Sequence, residues 1–326
     1  MKAIVYTDYG SPDVLQLKEV EKPTPTDNQV LVKVHAASAN PLDFHLMRGE
    51  PFLARLGTGF LKPKNPKVGA DIAGQVEAVG RNVTEFQPGD EVFGVCSGGF
   101  AEYAIAGQLK LALKPANLSF EAAAAVPVAA FTALQGLRDK GQIQTGQKVL
   151  INGASGGVGT FAVQIAKSYG AEVTGVCSTR NLDMVRSIGA DHVVDYTRED
   201  FTRNGQHYDL IYDAVGNRSV SDYKRALSPQ GMCVIAGFTT FLRLFEHIVV
   251  GPWMSRAGGK TIGFQGMATT PKKDLLVIKE LLEAGKVVPV IDKCYPLSET
   301  AEAIRYLEEG HAKGKVIITV EPDNKS

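Results

Sequence analysis

The chain has 326 residues, more than one hydrophobic core ordinarily serves, so two domains are expected. Its 35 basic residues balance 35 acidic ones and neither sign forms a long block, which argues against nucleic acid as the principal partner. No run approaches the roughly 18 apolar residues of a bilayer span, and the opening Met1-Lys2-Ala3-Ile4-Val5-Tyr6 lacks the apolar core of a secretory signal, so a cytoplasmic protein is expected.

In chain order, the first third reads as β structure. Residues 30–34 and 72–79 are rich in β-branched side chains and bounded by Gly, Pro, Asn and Asp, with a turn at Pro88-Gly89-Asp90. No long amphipathic helix pattern interrupts residues 1–110, so a small antiparallel or barrel-like unit is the economical assignment. From about residue 119 an Ala-rich helical stretch leads into short apolar runs alternating with amphipathic segments. Strands are expected at 148–152, 172–177, 192–195, 208–214, 231–236 and 260–265. With helical crossovers between them they predict an α/β unit built on a doubly wound parallel sheet. A helix is expected at 272–284, a strand at 288–291, a helix at 298–309 and a last strand at 315–320. That tail resembles the first third, so the expected division is 1–120 plus 287–326 for one domain and 121–286 for the other.

Cys96, Cys177, Cys233 and Cys294 lie far apart and form no C-x-x-C pair for a metal or redox site, which leaves reduced, mostly buried thiols. The strand Lys148-Val149-Leu150-Ile151-Asn152 runs into Gly153-Ala154-Ser155-Gly156-Gly157-Val158-Gly159 and then a helix with Phe161, Ala162, Ile165, Ala166 and Tyr169 on one face. Glycines there permit a tight turn and let backbone approach a pyrophosphate, whose charge meets unpaired N–H groups and the positive end of the helix dipole.

In an NAD-binding unit an acidic residue about 20 positions beyond the glycines accepts the ribose 2′-hydroxyl. Here that stretch reads Cys177-Ser178-Thr179-Arg180-Asn181, without a carboxylate. Hydroxyls, an amide and a guanidinium offer donors to a 2′-phosphate, each charged hydrogen bond contributing about 1.5–3 kcal/mol. NADPH is therefore the expected cofactor.

Several segments in one order resemble the medium-chain dehydrogenase/reductase superfamily, in its zinc-independent quinone oxidoreductase-like, zeta-crystallin-like branch. They are Ala39-Asn40-Pro41-Leu42-Asp43, Gly69-Ala70-Asp71-Ile72-Ala73-Gly74, Pro88-Gly89-Asp90-Glu91-Val92, Gly98-Gly99-Phe100-Ala101-Glu102-Tyr103, Phe131-Thr132-Ala133, the glycine turn, and Gly189-Ala190-Asp191. The tail Gly310-His311-Ala312-Lys313-Gly314-Lys315 is similar to the subgroup holding the chloroplast envelope quinone oxidoreductase homologue and a reticulon-interacting relative. The resemblance implies a GroES-like catalytic domain made from both chain ends, a Rossmann domain between them, an active-site cleft at their junction, and homodimers formed through the nucleotide domains. Zinc-dependent members carry Gly-His-Glu where this chain has Gly69-Ala70-Asp71, so neither zinc site is expected.

Without a Lewis-acidic metal, simple alcohol oxidation loses its stabiliser of developing charge. Conjugated quinones and α,β-unsaturated carbonyls spread that charge themselves, so reduction of an enone or quinone is the favoured reaction. The alternatives are an enoyl-thioester or other activated double-bond reductase, and an NADPH-binding scaffold or sensor without turnover. By motif match, Asn40 stands near nicotinamide and substrate, although an Asn before Pro41 is also a turn former. Asp43 fits a structural carboxylate as well as a catalytic one. His45, where relatives often have tyrosine, can deliver a proton or sit on the cleft rim. Thr132 matches a threonine approaching the nicotinamide, and Tyr196 one lying against the phosphoadenosine. Val215, Gly216, Gly237 and Phe238 follow strands, where ligands bind at carboxyl ends. The apolar stretch 241–254 suits a core or subunit-interface helix, a hydrophobic substrate pocket, or peripheral membrane contact.

Overall fold

The computed structural model describes residues 1–50, 52, 55–255 and 259–320. The chain divides into two units, 1–128 with 270–283 and 289–326, and 129–269 with 284–288. The helix Lys272–Glu283 groups with the first of them.

The first unit is built around the eleven-residue strand Gln29–Ala39, whose Val30, Val32 and Val34 are buried. It pairs antiparallel with Asp71–Val79, Tyr103–Gly107 and Lys315–Thr319. Glu91–Val95 and Leu111–Leu113 extend one side, and Ile291–Pro296 runs parallel to Lys315–Thr319 on the other, completing a seven-stranded sheet. Ile72, Val76, Val92, Leu111, Val316 and Ile318 fill its core. The register sets Val316 opposite Ala39, which brings the C-terminal strand beside the residues leading into the helix Pro41–Arg48.

The strand expected at 288–291 lies later, at Ile291–Pro296. Val288 is not in a ladder because the Gln164 side chain takes both of its backbone groups: Val288 N donates to Oε1 at 2.8 Å and Nε2 donates to Val288 O at 3.0 Å. With its single N–H spent and its carbonyl engaged by a helix side chain, Val288 does not enter the ladder.

The second unit carries the six-stranded sheet. Its order is His192–Asp195, Glu172–Cys177, Lys148–Asn152, Tyr208–Asp213, Leu227–Ile235 and Thr261–Phe264, parallel throughout. Leu150, Ile211 and Cys233 are inaccessible because helices cover the sheet. Sequence order reverses at Lys148–Asn152, so the crevice between the carboxyl ends of that strand and Tyr208–Asp213 is the topological switch point where open α/β sheets bind ligands.

The stretch 241–254 is not core. It is helical over Phe241–Phe245, Glu246–Val250 and Gly251–Ser255, yet Phe241, Leu242, Phe245, Ile248 and Trp253 are exposed; the Met254 side chain lies outside the described residues. The helix is held instead by its polar residues: Glu246 Oε1 accepts Val220 N at 2.9 Å, and the fully buried His247 contacts Arg218 O through Nε2 at 3.0 Å. The cysteines are free, but only Cys177 and Cys233 are buried and Cys294 is exposed.

Candidate cofactor and catalytic site

At the switch point the strand Lys148–Asn152 ends in a turn and the helix Gly157–Ser168 begins, with Gly156 at its cap. Gly153 has φ 79°, open to glycine at no steric cost. A side chain at Gly159 would place its Cβ 2.0 Å from Gly153 O, so the helix can start this close to the turn only without one. Ala154 is buried, and its N–H, like that of Gly153, bonds Val176 O of the next strand, at 3.0 and 3.2 Å. The turn is thereby fixed, and the N–H groups of the first helical turn, at Gly157, Val158 and Gly159, have no intrahelical acceptors, as at any helix start.

Asn181, whose amide was expected to donate to a 2′-phosphate, instead ties this turn to the end of the second strand. Its Nδ2 donates to Ser155 Oγ at 3.1 Å and to Ser178 Oγ at 3.3 Å. Both hydroxyl oxygens are thus acceptors inside the protein, and both hydroxyl hydrogens stay available for an anionic ligand. Asn181 Oδ1 is buried with no hydrogen-bond partner among the described residues. Arg180 is exposed, and so is Tyr196, whose N–H bonds Cys177 O at 3.1 Å. A helix start, two hydroxyl donors and a solvent-facing guanidinium fit the phosphates of a dinucleotide.

Thr179 departs from its expected role as a phosphate donor. Its hydroxyl donates to Asp195 Oδ2 at 2.5 Å, and Thr197 donates to Asp195 Oδ1 through Oγ1 at 2.7 Å and N at 3.0 Å. The carboxylate absent from the second strand stands on the third, where Asp195 lies opposite Cys177. Thr179 holds its carboxyl below the usual range, aided by Thr197 and Arg198.

Across the switch point, Asp213 is fully buried and accepts four hydrogen bonds. Oδ1 takes Val215 N and Gly216 N, each at 2.7 Å; Oδ2 takes Asn152 Nδ2 at 2.8 Å and Tyr223 Oη at 2.6 Å. This network, invisible in the spacing of the sequence, clamps the ends of two strands. Gly216 and Gly237 pack backbone to backbone: a Cβ on Gly216 would meet Gly237 O at 2.1 Å. Phe238 stacks at a tilt on Phe241, 6.1 Å between centroids. Thr132 is placed by its carbonyl, which accepts Tyr212 Oη at 3.1 Å and Gln265 Nε2 at 2.9 Å.

In the first unit Asn40 caps the helix Pro41–Arg48. Asp43, one turn in, accepts Asn40 N at 2.7 Å and Gly69 N at 3.2 Å, while its own N–H donates to Asn40 O at 2.9 Å. Burial pushes the Asp43 carboxyl up to about 7. The Asn40 amide is spent internally: Oδ1 accepts Lys315 Nζ at 2.5 Å, and Nδ2 donates to Asp71 Oδ2 at 2.9 Å and Ser38 O at 3.3 Å. Lys315 is 3% exposed and stands 3.6 Å from Asp71, which is 0% exposed and also accepts Ser38 Oγ at 2.8 Å and Val128 N at 2.9 Å. Lys315, Asp71 and Ser38 were not among the expected site residues; a lysine in a short C-terminal strand reads as a surface residue until the pairing with Ala39 is known. His45 is half-buried, tilted against Phe44, and burial lowers its pKa.

Two family models match the chain, "Alcohol dehydrogenase GroES-like domain" over residues 26–116 and "Zinc-binding dehydrogenase" over 188–318. A 2-methylene-furan-3-one reductase of Solanum lycopersicum is 38% identical over 98% of this chain and 79% of its own length. The chain belongs to the medium-chain dehydrogenase/reductase superfamily. Within this oxidoreductase superfamily it is also 34% identical to the chloroplast envelope quinone oxidoreductase homolog of Arabidopsis thaliana, over 98% of each chain. The solved quinone oxidoreductase of Coxiella burnetii superposes with a TM-score of 0.86 at 31% identity, covering 98% of this chain and 99% of that one. Among the described residues of this family member, no three His, Cys, Asp or Glu side chains group to hold a metal ion, and no helix is long and apolar enough to cross a membrane.

Proposed function

We propose that this chain reduces a quinone or an α,β-unsaturated carbonyl with NADPH and without a metal ion. The observation that carries the proposal is the pair of serine hydroxyls, Ser155 and Ser178, whose oxygens both accept from Asn181, which leaves their hydrogens to be donated to a phosphate-bearing ligand. Gly153 to Gly159 would hold the pyrophosphate, Arg180 would meet a 2′-phosphate, and Tyr196 would lie against the adenosine. Val215, Gly216, Gly237, Phe238 and Thr132 would border the nicotinamide half. Bound there, the dinucleotide supplies a hydride, and a conjugated acceptor takes it without a Lewis acid because it delocalises the incoming charge.

The roles of the first-unit residues follow from their partners. Asn40, with no donor to spare, acts as a positioning residue that joins strand, helix cap and Lys315, and Asp43 holds the cap. His45 is the candidate proton donor; its depressed pKa makes its imidazolium a stronger acid, scarcer at neutral pH. The relatives named as a 2-methylene-furan-3-one reductase and a quinone oxidoreductase homolog support the acceptor class. A homodimer is supported by the exposed Phe241, Leu242, Phe245 and Trp253, which form an apolar surface on the helical stretch next to the last strand of the sheet, Thr261–Phe264.

The test is loss of reduced-nicotinamide absorbance with NADPH against a panel of a short alkenal, a cyclic enone, a quinone, an enoyl thioester and a plain ketone, with a chelator present. Turnover of an enone or quinone undiminished by chelator is expected. Silence across the panel despite NADPH binding refutes the proposal in favour of a scaffold or sensor, and turnover of the thioester alone reassigns the acceptor.

A further inference from the structure

Asp195 meets the two threonines at the edge of the proposed 2′-site in a way that decides what they can offer a ligand. A hydroxyl has one hydrogen. Those of Thr179 and Thr197 both go to Asp195, at 2.5 and 2.7 Å, so the lone pairs of these side chains are what remain for anything outside. The two oxygens lie 3.1 Å apart. Lone pairs backed by a carboxylate accept from a ribose 2′-hydroxyl and repel a 2′-phosphate. Ser178 and Arg180 pull the other way, as donors.

We infer that Asp195 is a specificity-determining residue that, by taking the hydrogen of Thr179, keeps the site usable by NADH and limits its preference for NADPH. The inference rests on the proposal that the dinucleotide binds at this turn. In Asp195→Asn, the amide nitrogen replacing Oδ2 donates to Thr179 Oγ1, which releases the threonine hydrogen outward while Oδ1 continues to accept from Thr197. One negative charge beside the 2′-group, only partly offset by the exposed Arg198 guanidinium 3.6 Å from Oδ2, is also removed, a change of about threefold to tenfold in the binding of a phosphate several ångströms away near the surface.

The experiment is steady-state kinetics of the full chain with NADPH and NADH against one acceptor for Asp195→Asn, Thr179→Val and Arg180→Ala. Asp195→Asn is expected to raise the NADPH-to-NADH ratio of kcat/KM about threefold to tenfold through KM, with kcat unmoved. Thr179→Val, which removes the acceptor, is expected to lower kcat/KM for NADH severalfold and leave that for NADPH within twofold; it carries the test alone if Asp195→Asn does not fold. A ratio unchanged in both variants, or equal losses with both cofactors, overturns the inference and leaves Asp195 a structural brace. If Arg180→Ala lowers the ratio while Asp195→Asn leaves it unmoved, the 2′-site stands and only Asp195's role falls. If Arg180→Ala does nothing while Asp195→Asn raises the ratio, Asp195's role stands and Arg180 is not the donor.

Discussion

Lys315→Met separates compensation of a buried charge from simple packing. The ammonium is 3% exposed, donates to Asn40 Oδ1 at 2.5 Å and stands 3.6 Å from Asp71 Oδ2, itself fully buried. Methionine keeps most of the volume and removes the charge, so Asp71 loses its cation while Ser38, Asn40 and Val128 remain as donors. Breaking a buried pair from one side costs about 3–5 kcal/mol, because the remaining ion stays desolvated. The three surviving hydrogen bonds place the expected loss near the lower end, about 3 kcal/mol. Adding Asp71→Asn removes the orphaned charge and is expected to recover at least about 1 kcal/mol, although Asp71→Asn alone destabilises by leaving Lys315 uncompensated. Urea unfolding followed by circular dichroism, with slopes compared to detect any change in the unfolding reaction, reads the double-mutant cycle. A loss under about 1 kcal/mol in Lys315→Met, or no recovery in the double variant, refutes the claim that Lys315 balances Asp71.

Three further outcomes are expected. Asp43, raised to about 7 by burial, binds a proton in the folded state where the unfolded chain has lost it, so its contribution to stability declines as pH rises from about 4 to about 7. The difference in urea midpoint between the parent and Asp43→Asn should follow that decline, and a difference flat across the window refutes it. Gly159→Ala sets a Cβ 2.0 Å from Gly153 O and must open the turn, so calorimetry should find NADPH affinity at least about tenfold weaker; unchanged affinity would remove the turn from the binding site. Tyr223→Phe deletes the 2.6 Å bond to buried Asp213 and should cost about 1.5–3 kcal/mol in chemical unfolding, with a loss below about 0.5 kcal/mol counting against the clamp.

The parallel sheet and its glycine turn were legible because they are local in sequence. An apolar run of strand length followed by Gly153 to Gly159 and an amphipathic helix reads as one βα unit whatever surrounds it, and the alternation of such units dictates parallel pairing. The family resemblance rested on the same kind of local motif. Where the expectation erred, a distant partner decided the outcome. Val288 has strand character, but Gln164 takes its backbone groups; residues 241–250 have core composition, but Glu246 and His247 anchor the helix with its apolar side outward.

The residue types for binding a phosphate were thus in the sequence, while the direction of each hydrogen bond was not. Ser178 and Thr179 are adjacent hydroxyls with the same intrinsic chemistry. Asn181 donates to one, and Asp195 accepts from the other across a strand pairing that no spacing in the chain reveals. Lys315 likewise becomes a buried counter-charge only when the last strand pairs with Gln29–Ala39. Sequence by itself determined the βα order and the inventory of donors and acceptors; tertiary structure decided which were already spent, because a hydroxyl hydrogen or a lone pair satisfied within the fold is no longer available to a ligand.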